Sequence, residues 1–340
     1  MLQESTAVIR IPAKEMQECF TNILLKEGFT KEKAIQCATV FTNNSVDGVY
    51  THGINRFPRF IEYIRKGYIH IDAEPTLINK LTSIEQWNGN LGPGILNATH
   101  ATNKAMELAN ENGMGAVALS NTNHWMRGGT YGWQAAKAGY VFIGWTNTIA
   151  NMPAWGANDA RLGNNPLVIA LPWKDEAIVL DMAMSQYSFG SMELSVIQNK
   201  KLSVQGGFDK DGKLTDDPAA ILESRRPLPV GYWKGAGLAL LLDLLATILS
   251  GGLSTHEISK REIEYGLSQV FIAFDISKLR NNSSISLIIE NIINDYHHSI
   301  VTDGSKKIVY PGEKALETRK NNLENGIPVM KKIWDEILKL

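Results

Sequence analysis

Cysteine is scarce: Cys19 and Cys37 are the only two in 340 residues. Two thiols cannot staple a chain of this length, so a disulfide scaffold is excluded and a reducing compartment is expected. Charge of one sign is also lacking. Thirty-four lysines and arginines meet 35 acidic residues, a net charge of −1. A nucleic-acid binder needs a basic face for phosphates, and none is implied here. Long apolar runs are missing as well. The greasiest stretch, Ala236 to Ile248, is shorter than the ~20 residues of a membrane helix and is broken by Asp243. The opening MLQESTAVIRIPAKEM has no apolar signal segment, so the expectation is a cytoplasmic protein without a membrane partner. At 44% hydrophobic residues the chain is too apolar to be disordered. Its length suits about two domains.

Several catalytic signatures are absent too. GPGILN (residues 92–97) and GAGLAL (residues 235–240) both lack the third glycine of a dinucleotide fingerprint, and neither follows a clear strand. No P-loop, G-x-S-x-G or H-E-x-x-H string occurs. His297 and His298 are adjacent and point to different faces. His70, His100 and His256 lack acidic or thiol neighbours at ligand spacing, so no metal site is expected.

What is present is an alternation of helical and strand patterns. A helix is predicted from Ile11 to Gly28, and a second after an N-cap at Thr30, running to about Asn44. Strands are predicted at 84–87, 115–120, 141–146, 167–171, 177–181 and 270–275. Helices are predicted at 97–112 and 131–138. Gly231–Ser250 reads as a helix buried on all sides, and the chain after Glu317 as helical apart from 326–328. The β, α, β order predicts an α/β fold with a covered sheet.

Polar groups crowd into four segments. His52 lies in VYTHGINRFPRF, four residues before Arg56. A histidine can hold or release a proton near neutral pH, and an arginine can clamp a carboxylate. The alternative is a helix-end histidine and a surface arginine. His124 lies in SNTNHWMRGGTYGW beside Asn121, Asn123, Arg127 and two glycines, just after a predicted strand. Loops at strand ends are common ligand sites, though a structural loop fits equally. Asn147, Met152, Trp155, Gly156, Asn164, Asn165 and Pro166 form a third cluster, read as a ligand-facing rim or as turns. Asp181 ends the strand VLDMAMS and suits a ribose hydroxyl, an imidazole or a helix N-cap.

Taken in order, THGINRFPRF, NTNHWMRGGTYGWQAA, TNTIANMPAWG, GNNPL, VLDMAMS, GYWKGAGLALLLDLL and YPGE resemble the malate/L-lactate dehydrogenase family over nearly the whole chain. The resemblance implies an α/β fold with a non-Rossmann, mixed-sheet NAD(P)-binding domain at 76–279. A helical substrate domain would be built from 1–75 and 280–340. It implies a cytoplasmic homodimer that reduces a small, sugar-derived 2-oxo acid with NADH, or with NADPH. His52 would be the proton donor, and Arg56 and His124 would touch substrate. Cofactor contacts would fall on Ala177, Ile178, Val179, Leu180, Asp181, Met182 and Ala183, on Trp233 and Lys234, and on Gly312, Glu313 and Lys314. Three departures stand out. Asn164 replaces a threonine of the common G-T-N-P string, and Ala154 a proline of P-P-W-G. Glu313 follows Gly312 directly, without the histidine a relative carries between them. Reduction of another 2-oxo acid, of the malate, lactate or cyclic imine type, and a non-catalytic sugar-acid binder both stay open.

Overall fold

The computed structural model describes residues 7–302 and 307–340. In chain order the elements are β1 (Val8–Ile11), α1 (Ala13–Lys26), α2 (Lys31–Val46), α3 (Phe57–Arg65), β2 (Thr76–Lys80), β3 (Ile84–Asn88), α4 (Gly94–Asn112), β4 (Met114–Thr122), α5 (Gly129–Lys137) and β5 (Tyr140–Thr146). Then follow β6 (Met152–Pro153), β7 (Ala160–Leu162), β8 (Leu167–Trp173), β9 (Glu176–Met182), α6 (Phe189–Ile197), β10 (Gly207–Phe208), β11 (Leu214–Thr215), α7 (Pro218–Ser224) and α8 (Trp233–Ser250). The chain ends with α9 (Thr255–Ile258), β12 (Leu267–Asp275), α10 (Asn282–His297), α11 (Glu313–Asn325), β13 (Ile327–Met330) and α12 (Lys331–Ile337).

Apolar spacing explains the first helices. Met16, Phe20, Ile23 and Leu24 repeat at helical period along α1 and are all buried. Thr30 caps α2 as expected, accepting from the Lys33 amide at 3.4 Å. Phe20, Phe41 and Phe57 then meet in one aromatic cluster, with Phe20 stacked on Phe57 at 4.1 Å. The chain ends join this cluster through β1 and β13, an antiparallel pair that sequence reading missed. Both strands are four residues long and too short to carry a periodic signal.

A seven-stranded sheet forms the other core, in the order β2-β3-β4-β12-β5-β8-β9. Only β3 and β4 run parallel; the other neighbours are antiparallel. Side chains alternate across it. Val117 and Leu119 of β4 and Phe271 of β12 pack beneath α4 and α5, whereas Ala118 and Val270 face α8. Ile293 of α10 packs against Ile178 of β9 and Tyr310, so this helix leans on the sheet.

Helix α8 departs from the expectation of burial all round. Gly235, Ala236, Ala239, Leu242, Ala246 and Ser250 face the sheet. Leu241, Leu244, Leu245 and Ile248 point outward and are exposed. An apolar helix lying on a sheet has only one side to bury, so composition alone overstated its burial.

The topology positions the site. Because β12 and β8 run against their neighbours, β4, β5 and β9 all point the same way. Their C-terminal ends therefore open on one edge of the sheet. The loops after them meet the turn that follows α2.

Candidate functional site

A cavity of about 350 Å³ lies at that edge, within the range of small-molecule sites. Thr51 and His52 line it from the helical body. His124 to Gly128 come from the loop after β4, and Thr148 from the loop after β5. Val179, Asp181 and Ala183 come from the end of β9, and Gly312 and Ala315 from the start of α11.

His52 sits in a single turn, Tyr50–His52, directly after α2. Two side chains of α2 hold it. Asn44 Nδ2 donates to the His52 carbonyl at 2.9 Å, and Ser45 Oγ accepts from the Ile54 amide at 2.9 Å. A Cβ on Gly53 would lie 2.2 Å from Ser45 Oγ, so this turn closes only on glycine. Asn44 also accepts from Thr130 Oγ1 of α5 at 2.8 Å, which ties the histidine's backbone to the sheet body. Sequence reading passed over Asn44 and Ser45, because a buried polar residue inside a helical pattern looks like any other.

His124 stacks on His52, with ring centroids 5.5 Å apart and planes 17° from parallel. Met126 adopts a left-handed backbone (φ 67°). Its amide thereby reaches His124 Nδ1 at 2.9 Å. That bond occupies the Nδ1 lone pair, so the neutral ring carries its proton on Nε2 and can only donate there. Burial, and then the charge of Arg56, hold His124 well below the usual histidine range. Burial, then Arg56 and Arg127, push His52 down to about 4. Among the described residues, the His52 ring keeps only a long contact from its Nδ1 to Thr51 Oγ1, at 3.4 Å. The two rings thus differ: one is a fixed neutral donor, the other is free to exchange a proton.

Beneath the cavity lies a charged network. Arg127, which is buried, pairs with Asp47, the residue that ends α2. Asp47 also accepts from Arg319 of α11, at 2.6 and 2.9 Å. Both guanidiniums lie over the indole of Trp133, at 4.6 and 5.2 Å. Arg319 was invisible in sequence: it is one of many charges on a solvated helix pattern, and its partner is 272 positions away. Asp181 caps a helix, though not its own. It accepts from the Gly129 amide at the start of α5, at 2.8 Å.

The expected residues separate into groups. His52 and His124 come together. Arg56 lies beside them but opens onto a second, small cavity next to His124. Of the run 177–183, Val179, Asp181 and Ala183 line the main cavity, as the two-residue period of a strand requires. Ala177 is buried in the core and Ile178 packs against Tyr310. Gly312 lines the cavity, but Glu313 is turned away to His297, Lys307 and the Tyr310 amide. Lys314 is not part of the lining, and neither are Trp233 and Lys234, which open α8. In the third cluster, Asn164 and Pro166 reach the cavity. Asn147 and Asn165 are buried and bind backbone, and Met152 is in the core. The buried Trp133 Nε1, in a residue of the cavity wall, has no partner among the described residues.

Comparison with known proteins agrees with this architecture. Residues 11–338 match the family model described as malate/L-lactate dehydrogenase. The 2,3-diketo-L-gulonate reductase of Citrobacter koseri is 42% identical over 330 residues, covering 97% of this chain and 99% of the relative. That of Pasteurella multocida is 42% identical over 333 residues, covering 98% and 100%. Among solved structures, malate dehydrogenase of Entamoeba histolytica superposes with a TM-score of 0.92 at 26% identity, covering 98% and 97%. Sulfolactate dehydrogenase of Methanocaldococcus jannaschii does so with 0.88 at 26% identity, covering 97% and 95%.

Proposed function

This chain belongs to the malate/L-lactate dehydrogenase family and is an oxidoreductase, and within that class we propose that it reduces 2,3-diketo-L-gulonate to 3-dehydro-L-gulonate. The observation that carries this is the pair of stacked imidazoles at the mouth of a cavity walled by β9 and Gly312. A nicotinamide held there by Val179, Asp181, Ala183 and Gly312 would supply the hydride for the C2 carbonyl carbon. His52, as imidazolium, gives its proton to the carbonyl oxygen as charge develops on it. His124 donates its Nε2 proton as a hydrogen bond to the same oxygen. Arg56 takes the substrate carboxylate; among the described residues it makes no ion pair within 4.0 Å, and the charge that acts on it most is Glu264. Val179, Asp181, Ala183 and Gly312 would hold the cofactor, and Arg127 and Trp133 would back it. Trp233 and Lys234, which open α8, and Glu313 and Lys314, next to Gly312, stand outside the cavity wall.

The test is NADH or NADPH absorbance with 2,3-diketo-L-gulonate, pyruvate, oxaloacetate and a cyclic imine acid. Cofactor consumption that is fastest with the diketogulonate is expected. No consumption with any of them would return the chain to the class of sugar-acid binders.

Two further features go with this reading. The free thiols Cys19 and Cys37 suit the reducing cytoplasm. The outer leucines of α8 form an exposed apolar face that suits a second copy of the chain. Replacing Leu241 and Leu245 together with glutamate is expected to turn a dimer into a monomer by sedimentation. A wild-type protein that sediments as a monomer at all concentrations rejects the dimer.

A further inference from the structure

The second cavity is small, about 10 Å³, room for one water or one hydroxyl group. Arg56, Arg59, Tyr63, Asn123, His124 and Glu264 are among its walls, and His124 and Met126 line both this cavity and the main one. Its chemistry is mixed. Arg56 and Arg59 bring donors. Glu264 brings a carboxylate, held by the Ile149 amide, which donates to its Oε2 at 3.0 Å. Asn123 is buried, and its Nδ2 is used up on three carbonyls, of Tyr68, Leu91 and Gly92. Those bonds fix which end of the amide is oxygen. Its Oδ1 is buried with no partner among the described residues. A buried acceptor without a donor calls for a ligand or water.

We propose that this small cavity is a tail subsite that takes one hydroxyl of the substrate beyond the reacting carbonyl. The one proton of that hydroxyl is shared between the Glu264 carboxylate and Asn123 Oδ1 in a three-centre bond, and its lone pairs accept from Arg59. The subsite rests on the reductase reading above and sharpens it. A second anionic group would meet the Glu264 carboxylate, and an unsubstituted tail would leave Asn123 Oδ1 unpaired. The geometry therefore selects a hydroxylated 2-oxo acid over both short and dianionic ones. The source of that selection is hydrogen bonding, which discriminates far more sharply than apolar fit.

The experiment compares kcat/KM for 2,3-diketo-L-gulonate, pyruvate and oxaloacetate in the wild-type enzyme, Glu264→Gln and Arg59→Gln. The ratio of diketogulonate to pyruvate is expected to fall roughly 10–100-fold in Glu264→Gln, the worth of one hydrogen bond to a charged group. The ratio of oxaloacetate to pyruvate should rise in the same variant. Arg59 is exposed, so its replacement leaves the fold intact, and it should lower the first ratio as well. Equal loss on all three substrates in Glu264→Gln would mean a structural role and would overturn the subsite. So would unchanged ratios in both variants. A wild-type enzyme inactive on all three would instead refute the reductase reading beneath it.

Discussion

His52→Gln is expected to lower kcat by roughly 10²–10⁴, the usual worth of a positioned proton donor. Cofactor binding, followed by fluorescence of the reduced nicotinamide, should change little, because His52 comes from the turn after α2 and not from the β9 wall. The pH dependence follows from the depressed proton affinity. Burial, Arg56 and Arg127 bring the ring down to about 4 in the free enzyme. A donor must be protonated before it can act, and kcat/KM reports the free enzyme. Reductive kcat/KM should therefore fall about tenfold per unit as pH rises above roughly 5. In the complex the substrate carboxylate offsets the charge of Arg56 and raises the proton affinity of His52, so kcat should hold to higher pH. Glutamine at position 52 should flatten the kcat/KM slope. Near-normal turnover in His52→Gln, or a wild-type profile flat from pH 5 to 8, would take the proton donor away from this residue.

Asp47→Ala is expected to destabilise the fold by roughly 3–5 kcal/mol, the cost of leaving a buried charge without its partner. Asp47 is the carboxylate shared by Arg127 and Arg319, and both it and Arg127 are buried. Without it, Arg127 keeps only Asp181, at 3.9 Å, and Arg319 only Glu176, at 3.5 Å, among the described residues. The loss should appear as a lower midpoint in chemical denaturation. Asp47→Asn keeps one acceptor oxygen and should cost less. Activity should fall in both variants, because Arg127 forms part of the cavity wall and α11 brings Gly312 to it. A loss below about 1 kcal/mol in Asp47→Ala would show that the network does not join the two bodies.

Much of this site could be read from the chain, and the unread part has a common cause. His52, Arg56 and His124 stand out in the chain because histidine and arginine among glycines and asparagines break the surrounding helix and strand patterns. The run 177–183 was legible as a strand, but its alternation was not applied to the cofactor contacts. Ile178, Leu180 and Met182, three of the seven, alternate with the cavity-lining Val179, Asp181 and Ala183. Asp47, Arg319, Asn44 and Glu264 were not legible. Each is an ordinary polar residue in its own segment, and its partner comes from a distant one.

Periodicity and cap chemistry determined the elements: the α1 stripe, the Thr30 cap, and strands such as 115–120 that end at the site. The order of motifs along the chain determined the family. Tertiary structure alone decided which strand ends share an edge, since that depends on the antiparallel placement of β12 and β8. It decided that α8 leaves one side uncovered, and that one aspartate serves two arginines. Pattern within a segment reports how a residue meets its own neighbours; pairing across hundreds of residues is set by packing, which no local pattern encodes.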